Sequence, residues 1–392
     1  TTGLQGQKQD SHLTFTPGQA TINGQNETVP FAPEGPQFVV NGQVQQGNSL
    51  PVHDASGKLQ GTYSVQPNGD ISFQPAPDFY GTPTPATLRV TDKNGSTAEA
   101  VYQPTVTKVT PTSTNDTSTG LQGQPQSGKP TFTAGDPAVP LDDTKPMTFE
   151  DGQSTKTVPG VGEYSINSDG SITFTPDKKY VGTPDPVTVK RVDKNGTEVT
   201  ATYTPTVTKV TPTSTDATSN GIQGQPQKGT PTFTEGNPLV PIDDTKPMTF
   251  EDGQSTKTVP GVGEYSINPD GSITFTPDKQ YVGTPDPVTV KRVDKNGTEV
   301  TATYTPTVTK VTPTSTNATS TGPQGLPQTG TPTFQGGDPL VPIDETVEPT
   351  FADGSKEKSI PGQGTYTIAP DGTVTFTPDK QFVGKPDPVT VK

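Results

Sequence analysis

The sequence predicts an all-β fold, a tandem array of immunoglobulin-like β-sandwich modules joined by short Thr/Pro/Ser-rich linkers. Three observations predict it. Only 25% of the 392 residues are hydrophobic and 6% aromatic, yet Thr, Val, Pro (46) and Gly (42) abound, a mixture that favours short strands and turns over helices. A unit of 101 residues recurs along the chain. Within it, short runs of alternating apolar and polar residues are separated by turn signals every ~8 to 12 residues, roughly seven strands per unit.

The repeat is read from phrases. GQPQ begins at Gly123 and at Gly224, and its variant GLPQ at Gly325, a spacing of 101 both times; TPDK recurs around Asp177, Asp278 and Asp379. The stretches 121–221 and 222–322 differ at 11 of 101 positions, which marks wholesale copying of one unit. The first unit is a divergent relative, with GTYSVQPNGDISFQP from Gly61, FYGTP from Phe79 and VTDKNG from Val90. Its N-terminal half is longer and holds both histidines, His12 and His53. The fourth unit stops at VTVK, without the closing strands expected of it. The expected modules are 1–117, 118–218, 219–319 and 320–392.

In the second unit, Tyr164 and Ile166 alternate with polar residues, a Ser168-Asp169-Gly170 turn intervenes, and Ile172 and Phe174 alternate again, which predicts a hairpin with one buried face. Val187 and Val189 lead into Asp193-Lys194-Asn195-Gly196, and Val199, Ala201, Tyr203 and Val207 follow at even spacing. Asn-Gly accepts the positive φ angles of a type I′ turn, so a second hairpin is expected there. The turn residues singled out across the units are Asp92, Asn94 and Gly95; Asp169 and Gly170; Asp193, Asn195 and Gly196; Asp270 and Gly271; Asp294, Asn296 and Gly297; Asp371 and Gly372. Proline recurs too often for long helices. The stretch from Lys209, KVTPTSTDATSNGIQGQPQKGTPTF, opens as a stiff connector, because Pro and β-branched residues keep a backbone extended. Each sandwich adds roughly 40 Å of strand height to such an array.

Charge and composition exclude several function classes. With 27 basic against 41 acidic residues and a net charge of −14, phosphate backbones are repelled and anionic membranes disfavoured. No cysteine is present, so no disulfide or thiolate chemistry is available. No apolar run reaches the ~20 residues that span a bilayer, and no signal region follows Thr1, so the chain reads as a piece of something longer. Units two to four contain neither His nor Cys, which leaves no imidazole-assisted nucleophile. His12 and His53 are the one pair that could meet for metal or acid/base work.

Paired carboxylates are the remaining catalytic candidates, Asp142-Asp143 (repeated as Asp243-Asp244) with Glu150-Asp151. They fall in Pro/Gly-rich stretches with few aromatics to stack a sugar, so solvated loops are the better reading. Calcium is a stronger rival for carboxylates near a domain end, but EF-hand spacing is missing. Lys209, which shares the parity of Tyr203 and Val207, is the candidate for a Lys–Asn isopeptide bond, against which stands strand regularity that ends near Pro205. Lys129 and Lys145 do not recur in every unit. The Asn-x-Ser/Thr triplets at Asn94, Asn195 and Asn296 coincide with the hairpin turns, and turn geometry explains them without sugar. No catalytic, metal or cofactor residue is expected, and no enzyme.

The GLQGQPQ opening from Gly120, the phrase FTPDKKYVGTPDPVTVKRVDKNG from Phe174 and the TYTPTVTKVTPTST closing around Tyr203 resemble the CshA-type fibril repeats of streptococcal surface adhesins. The resemblance covers nearly all of 120–392 and the first unit more loosely. More distantly, the Asp-Gly hairpin, the Phe-Thr-Pro phrase and Asp-x-Asn-Gly look like bacterial cadherin-like and other immunoglobulin-like stalk repeats. The resemblance implies structural repeats of a secreted, cell-wall-anchored fibril on a Gram-positive bacterium, engaged in cell adhesion. It implies host extracellular-matrix or salivary glycoproteins as partners of the whole adhesin through a region outside this chain, and leaves room for lateral self-association of fibrils. Direct binding by the repeats, or by the first module alone, is the rival expectation.

One motif points elsewhere. LPQTG, Leu326–Gly330, fits the pattern read by sortases, but such a signal needs a membrane-length apolar segment and a basic tail directly after it. Here TPTFQGGDPLVPIDETV follows. On the 101-residue period LPQTG aligns with QPQSG from Gln124 and QPQKG from Gln225, so it is a drifted repeat phrase.

Overall fold

The alternation of apolar and polar residues becomes strand throughout. The computed structural model describes all 392 residues, and strands joined by turns make up the whole of its regular structure. The chain forms two compact bodies, Thr1–Val210 and Thr211–Lys392, and each contains two of the repeats.

In the first body the second repeat shows the plan. One four-stranded sheet has the order Asp116–Leu121, Glu198–Thr208, Val187–Val192, Thr148–Phe149. The other has the order Gln126–Gly128, Ile172–Pro176, Gly162–Ile166, Thr155–Val158. Their inner faces meet in one core, with Phe149, Val187, Val189, Ala201, Tyr203 and Val207 from the first sheet against Tyr164, Ile172 and Phe174 from the second. Tyr164 and Phe174 are directly opposed across the ladder and stack at 4.5 Å, while Tyr203 meets Tyr164 edge-on at 6.3 Å, a geometry that favours the ring quadrupoles as well as burial. A β-sandwich with a thin aromatic core is thus what this low-hydrophobicity composition builds.

The repeat contains ten strands, Thr112–Thr114 through Glu198–Thr208, where periodicity anticipates about seven. The additional ones lie in the stretch read as connector. Thr112–Thr114 pairs with Thr131–Thr133, and Asp116–Leu121 runs parallel to the closing strand, with Asp116 opposite Tyr203 and Leu121 opposite Thr208. In the second body Ala217–Ile222 pairs in the same way with Glu299–Thr309, from Ala217 opposite Tyr304 to Ile222 opposite Thr309. Much of the apparent linker is therefore sheet. The closing strand also runs through Pro205 to Thr208, and Lys209 beyond it is exposed. No buried lysine is presented there to an asparagine.

The first repeat likewise has two four-stranded sheets around Phe38, Tyr63, Phe73, Leu88 and Tyr102, but its parallel pair, Thr2–Leu4 with Thr105–Thr107, stands as a separate two-stranded sheet. Its added length forms an exposed hairpin, Gln19–Ile22 with Gln25–Thr28, at the position where the second repeat has a short loop. The fourth repeat keeps the sheet Gln328–Gly330, Val374–Pro378, Gly364–Ile368, Glu357–Ile360, but only Phe351, Tyr366, Ile368 and Phe376 form its buried cluster. LPQTG lies at the edge of that sheet, with Gln328 to Gly330 paired to Phe376 to Val374.

Candidate functional site

The turns singled out from sequence are built from carboxylates that hold backbone amides. Asp193 Oδ1 accepts from the amides of Asn195 (2.9 Å) and Thr197 (2.8 Å), and Gly196 N–H donates to Asp193 O. Gly196 takes φ = +83° while Asn195 stays out of the left-handed region. The turn is therefore a type I turn closed by a glycine bulge, not the type I′ turn expected, because the aspartate supplies the caps that fix the first two turn residues in right-handed conformation. The same arrangement holds at Asp92–Gly95 and Asp294–Gly297. Type I′ conformations occur instead in the first repeat, at Asn23-Gly24 and Asn41-Gly42. At the other hairpin, Asp169 Oδ1 takes both the amide (3.0 Å) and hydroxyl (2.6 Å) of Ser171, with Gly170 left-handed; Asp270-Gly271 repeats this, and at Asp371-Gly372 the carboxylate takes the Thr373 amide at 2.9 Å. These bonds to the ionised form hold the Asp169, Asp270 and Asp371 carboxyls below their ordinary range.

The carboxylate pairs meet cations of the same repeat. Asp142 Oδ1 receives Lys194 Nζ at 2.9 Å and the Thr144 hydroxyl at 2.7 Å, and Asp143 receives Arg191 at 3.0 Å. Asp243, Lys295, Asp244 and Arg292 repeat this in the second body. The Lys194 ammonium, with Thr144, holds the Asp142 carboxyl down to about 2. Asp151, next to Glu150, caps its own turn through the Gln153 amide. A carboxylate already neutralised by lysine or arginine has little to offer calcium or a glycoside, and no group of three or more His, Asp or Glu is arranged for a metal.

His12 and His53 do not meet. They lie on the two outer strands of one four-stranded sheet, Gln9–His12 and Ser49–His53, three strand spacings or about 14 Å apart across the sheet and towards opposite ends of it, His12 opposite Asp70 and His53 opposite Leu59. His12 Nδ1 contacts Asp70 Oδ1 at 2.8 Å in an exposed pair.

Sequence reasoning missed a polar latch that recurs in the sandwich. Ser118 Oγ donates to Gln126 Oε1 (2.5 Å), Tyr203 Oη therefore donates to Ser118 Oγ (2.6 Å), and Gln126 Nε2 donates to Thr206 O (3.1 Å). Three strands from both sheets are tied by one chain of bonds. Thr1, Gln9, Tyr102 and Thr105 form it in the first repeat, and Ser219, Gln227, Tyr304 and Thr307 in the third. A glycine makes room for the tyrosine: a Cβ at Gly128 would overlap the Tyr203 ring, and one at Gly229 the Tyr304 ring. The available signal was positional, Ser118, Gln126 and Tyr203 each returning after 101 residues.

A second glutamine closes the bottom of each sandwich. Gln122, 5% exposed, donates to Lys178 O (3.0 Å) and accepts from Val210 N–H (3.2 Å). Gln5 does the same between Pro77 O and Val109 N–H, at 2.9 and 3.2 Å. The opening loop thus grips the segment by which the chain leaves its own repeat.

Among solved structures the chain is similar to the I9–I11 tandem of titin (14% identity, TM-score 0.27, covering 79% of this chain and 95% of that one). It is also similar to the protocadherin gammaB7 EC3–6 cis-dimer structure (11%, 0.32, 94% and 88%) and human CDH23 EC21–23 (15%, 0.31, 70% and 89%). Likenesses of this strength carry no functional argument. No curated protein matches the chain. The family model of the surface adhesin CshA repetitive domain matches four times in tandem, over residues 1–106, 108–207, 209–308 and 310–392. These matches take in nearly every residue, and the chain belongs to the CshA repeat family of cell-surface adhesins.

Proposed function

We propose that the four repeats are load-bearing stalk modules, the second beginning by Thr112 and the third by Thr213 rather than at 118 and 219, which project a distal adhesive region away from a Gram-positive cell wall. The observation that supports this reading is the parallel pairing of opening and closing strands, six registered pairs from Asp116–Tyr203 to Leu121–Thr208 and six more from Ala217–Tyr304 to Ile222–Thr309. A pull on the two ends of such a repeat drags adjacent parallel strands in opposite directions. Their hydrogen bonds are then loaded together in shear rather than opened one at a time, and the latch through Ser118 and Tyr203 is loaded with them. Near-identity of the second and third repeats fits a part whose number sets length. The test is to stretch the whole chain from its ends in a force spectrometer. Discrete unfolding steps are expected, each releasing roughly 300 Å of chain per complete repeat; smooth extension without steps sinks the reading.

A second reading has one observation in its favour. In the first repeat a cleft of about 260 Å³ is lined by Leu13, Phe15, Phe31, Pro36 and Pro67, while the cleft at the matching place in the second repeat carries Lys129, Asp143, Asp169 and Arg191. An apolar cleft of this kind suits a ligand better than a spacer does. Under this reading the first repeat binds a host glycoprotein or another bacterium directly. Titrating the whole chain against immobilised fibronectin and salivary glycoproteins decides it, and an absence of saturable binding retires it.

A further inference from the structure

The opening loop does more than close its own sandwich. Gln5-Gly6-Gln7 lies against the second repeat at two points. Asn195 Nδ2, at the tip of that repeat's Asp-Lys-Asn-Gly turn, donates to Gln5 O at 2.8 Å, and Gln7 Nε2 donates to Ala138 O at 3.1 Å. Between these bonds Gly6 sits under the Asn195 amide, left-handed at φ = +77°, and a Cβ there would overlap Asn195 Oδ1. In the second body the third and fourth repeats make the corresponding bond, Gln225 Nε2 to Leu340 O at 3.0 Å. Ala138 and Leu340 occupy the same place in equivalent loops, Gly135-Asp136-Pro137-Ala138 and Gly337-Asp338-Pro339-Leu340. In each, the aspartate side chain caps the amide of the acceptor residue, at 2.9 Å in both.

We propose that the Gln-Gly-Gln opening loop is a built docking surface whose partner is a second copy of the same fold, seated through its Asp-Lys-Asn-Gly turn and Gly-Asp-Pro loop. Three adjacent residues divide the work. The Gln5 side chain fixes the outgoing segment at Val109, its carbonyl receives the next repeat, Gly6 allows the approach, and Gln7 adds a second point that opposes rotation about the first. Two separated hydrogen bonds across a joint whose chain crossing is itself pinned define an orientation, where a Pro-rich tether alone would leave a range. Asn195 is thereby a recognition residue rather than a turn former, since the turn around it is closed by Asp193 and Gly196. The Asn94 turn of the first repeat has the same internal bonds and serves as its control.

The chain has no cysteine, so paired spin labels can be placed at the exposed positions Gln46→Cys and Gln153→Cys of the full chain. A single narrow distance distribution is expected by double electron–electron resonance. Gln7→Ala with Asn195→Ala should broaden it at least twofold, Asn195→Asp should broaden it through repulsion between carboxylate and carbonyl, and Asn94→Ala should leave it unchanged. Unaltered hydrogen-exchange protection of Tyr164 and Phe174 shows that the variants remain folded. A distribution already broad in the parent, or unmoved in the Gln7/Asn195 double variant, overturns the docking surface. Either result leaves the shear reading of single repeats standing, because that reading predicts unfolding steps whatever the joints do.

Discussion

Tyr203 Oη lies 2.6 Å from Ser118 Oγ across 85 residues of chain, and this contact joins the closing strand of the second repeat to its parallel partner, Asp116–Leu121. The bond is partly buried, and burial pushes the Tyr203 phenol up while Ser118 draws it back. Ser118→Ala removes both the acceptor for Tyr203 and the donor to Gln126, leaving two polar groups without partners, which costs about 1–3 kcal/mol. Loss of hydrogen-exchange protection is expected along Asp116–Leu121 and Tyr203–Thr208 first. Tyr203→Phe combined with Ser118→Ala should cost less than the two singles added together, because they delete one shared bond; strict additivity would show that the latch is not a unit.

Gly128 is the steric counterpart of that latch. The Tyr203 ring packs where a Gly128 side chain would begin, and an added Cβ must displace an aromatic ring that meets Tyr164 edge-on. Gly128→Ala should destabilise the second repeat by about 1–3 kcal/mol, the usual range for overpacking, and Gly229→Ala should do the same to the third. Gly18, with open space around its Cβ direction and no left-handed φ, is the control, and Gly18→Ala should change stability by less than about 0.5 kcal/mol. Chemical unfolding of the three variants compares them, and equal midpoints would contradict the ring contact.

How far these features are legible in sequence depends on whether their cause is local. Tyr164, Ile166, Ile172 and Phe174 announce their hairpin because each apolar residue faces one core and the turn between them is short. Asp116–Leu121 does not announce itself. Its residues are Asp, Thr, Ser and Gly with Leu121 the one apolar side chain, no residue of it is fully buried, and its partner is a parallel strand more than 80 residues away, so composition reads as linker. The turn type is not legible locally, because Asn-Gly alone favours type I′, whereas Asp193, two residues before Asn195, caps the backbone into type I. The histidines of the first repeat are visible as residues, but their separation is set by strand order, which periodicity does not report.

Acid should loosen the second and third repeats in a defined window. Lys194 and Thr144 hold Asp142 at about 2 against an ordinary 3.8, and Lys295 with Thr245 depresses Asp243. A lowered folded-state value means the unfolded chain binds more protons between the two values, so the contribution is complete above pH 4 and is lost as pH falls from about 4 towards 2. Asp169 and Asp270 act in the same direction through their serines. Melting temperature should stay level from pH 7 to 5 and drop below 4, and Lys194→Met with Lys295→Met should make that drop shallower. An identical drop in parent and variant would remove the two lysines from the account.

The fourth repeat should be the first to open. Ten buried residues form the core cluster of the second repeat and eleven that of the third, against four in the fourth. The stretch Ala318–Pro323, which matches the parallel opening strand Ala217–Ile222, forms no strand, and Val391 reaches only an isolated bridge to Phe351. The deficit has a specific physical form. Tyr366 and Phe376 stack as in the other repeats, but the polypeptide 1–392 stops at the counterpart of Lys190, before the position that matches Tyr203, and in that polypeptide Ser320 bonds Gln328 alone. Hydrogen exchange in the tyrosine strand Gly364–Ile368 should therefore be faster than in Gly162–Ile166 and Gly263–Ile267 by an order of magnitude or more, since local opening follows local burial. Appending the residues of 191–209 after Lys392 supplies the missing tyrosine and the parallel partner together. Protection of Gly364–Ile368 should then rise to the level of the second repeat, whereas a chain bearing the same addition with its Tyr203 equivalent changed to Ala should recover only part of it. Equal exchange in all four tyrosine strands of the original chain would show that the closing strand contributes little to the sandwich, and would weaken the shear argument with it.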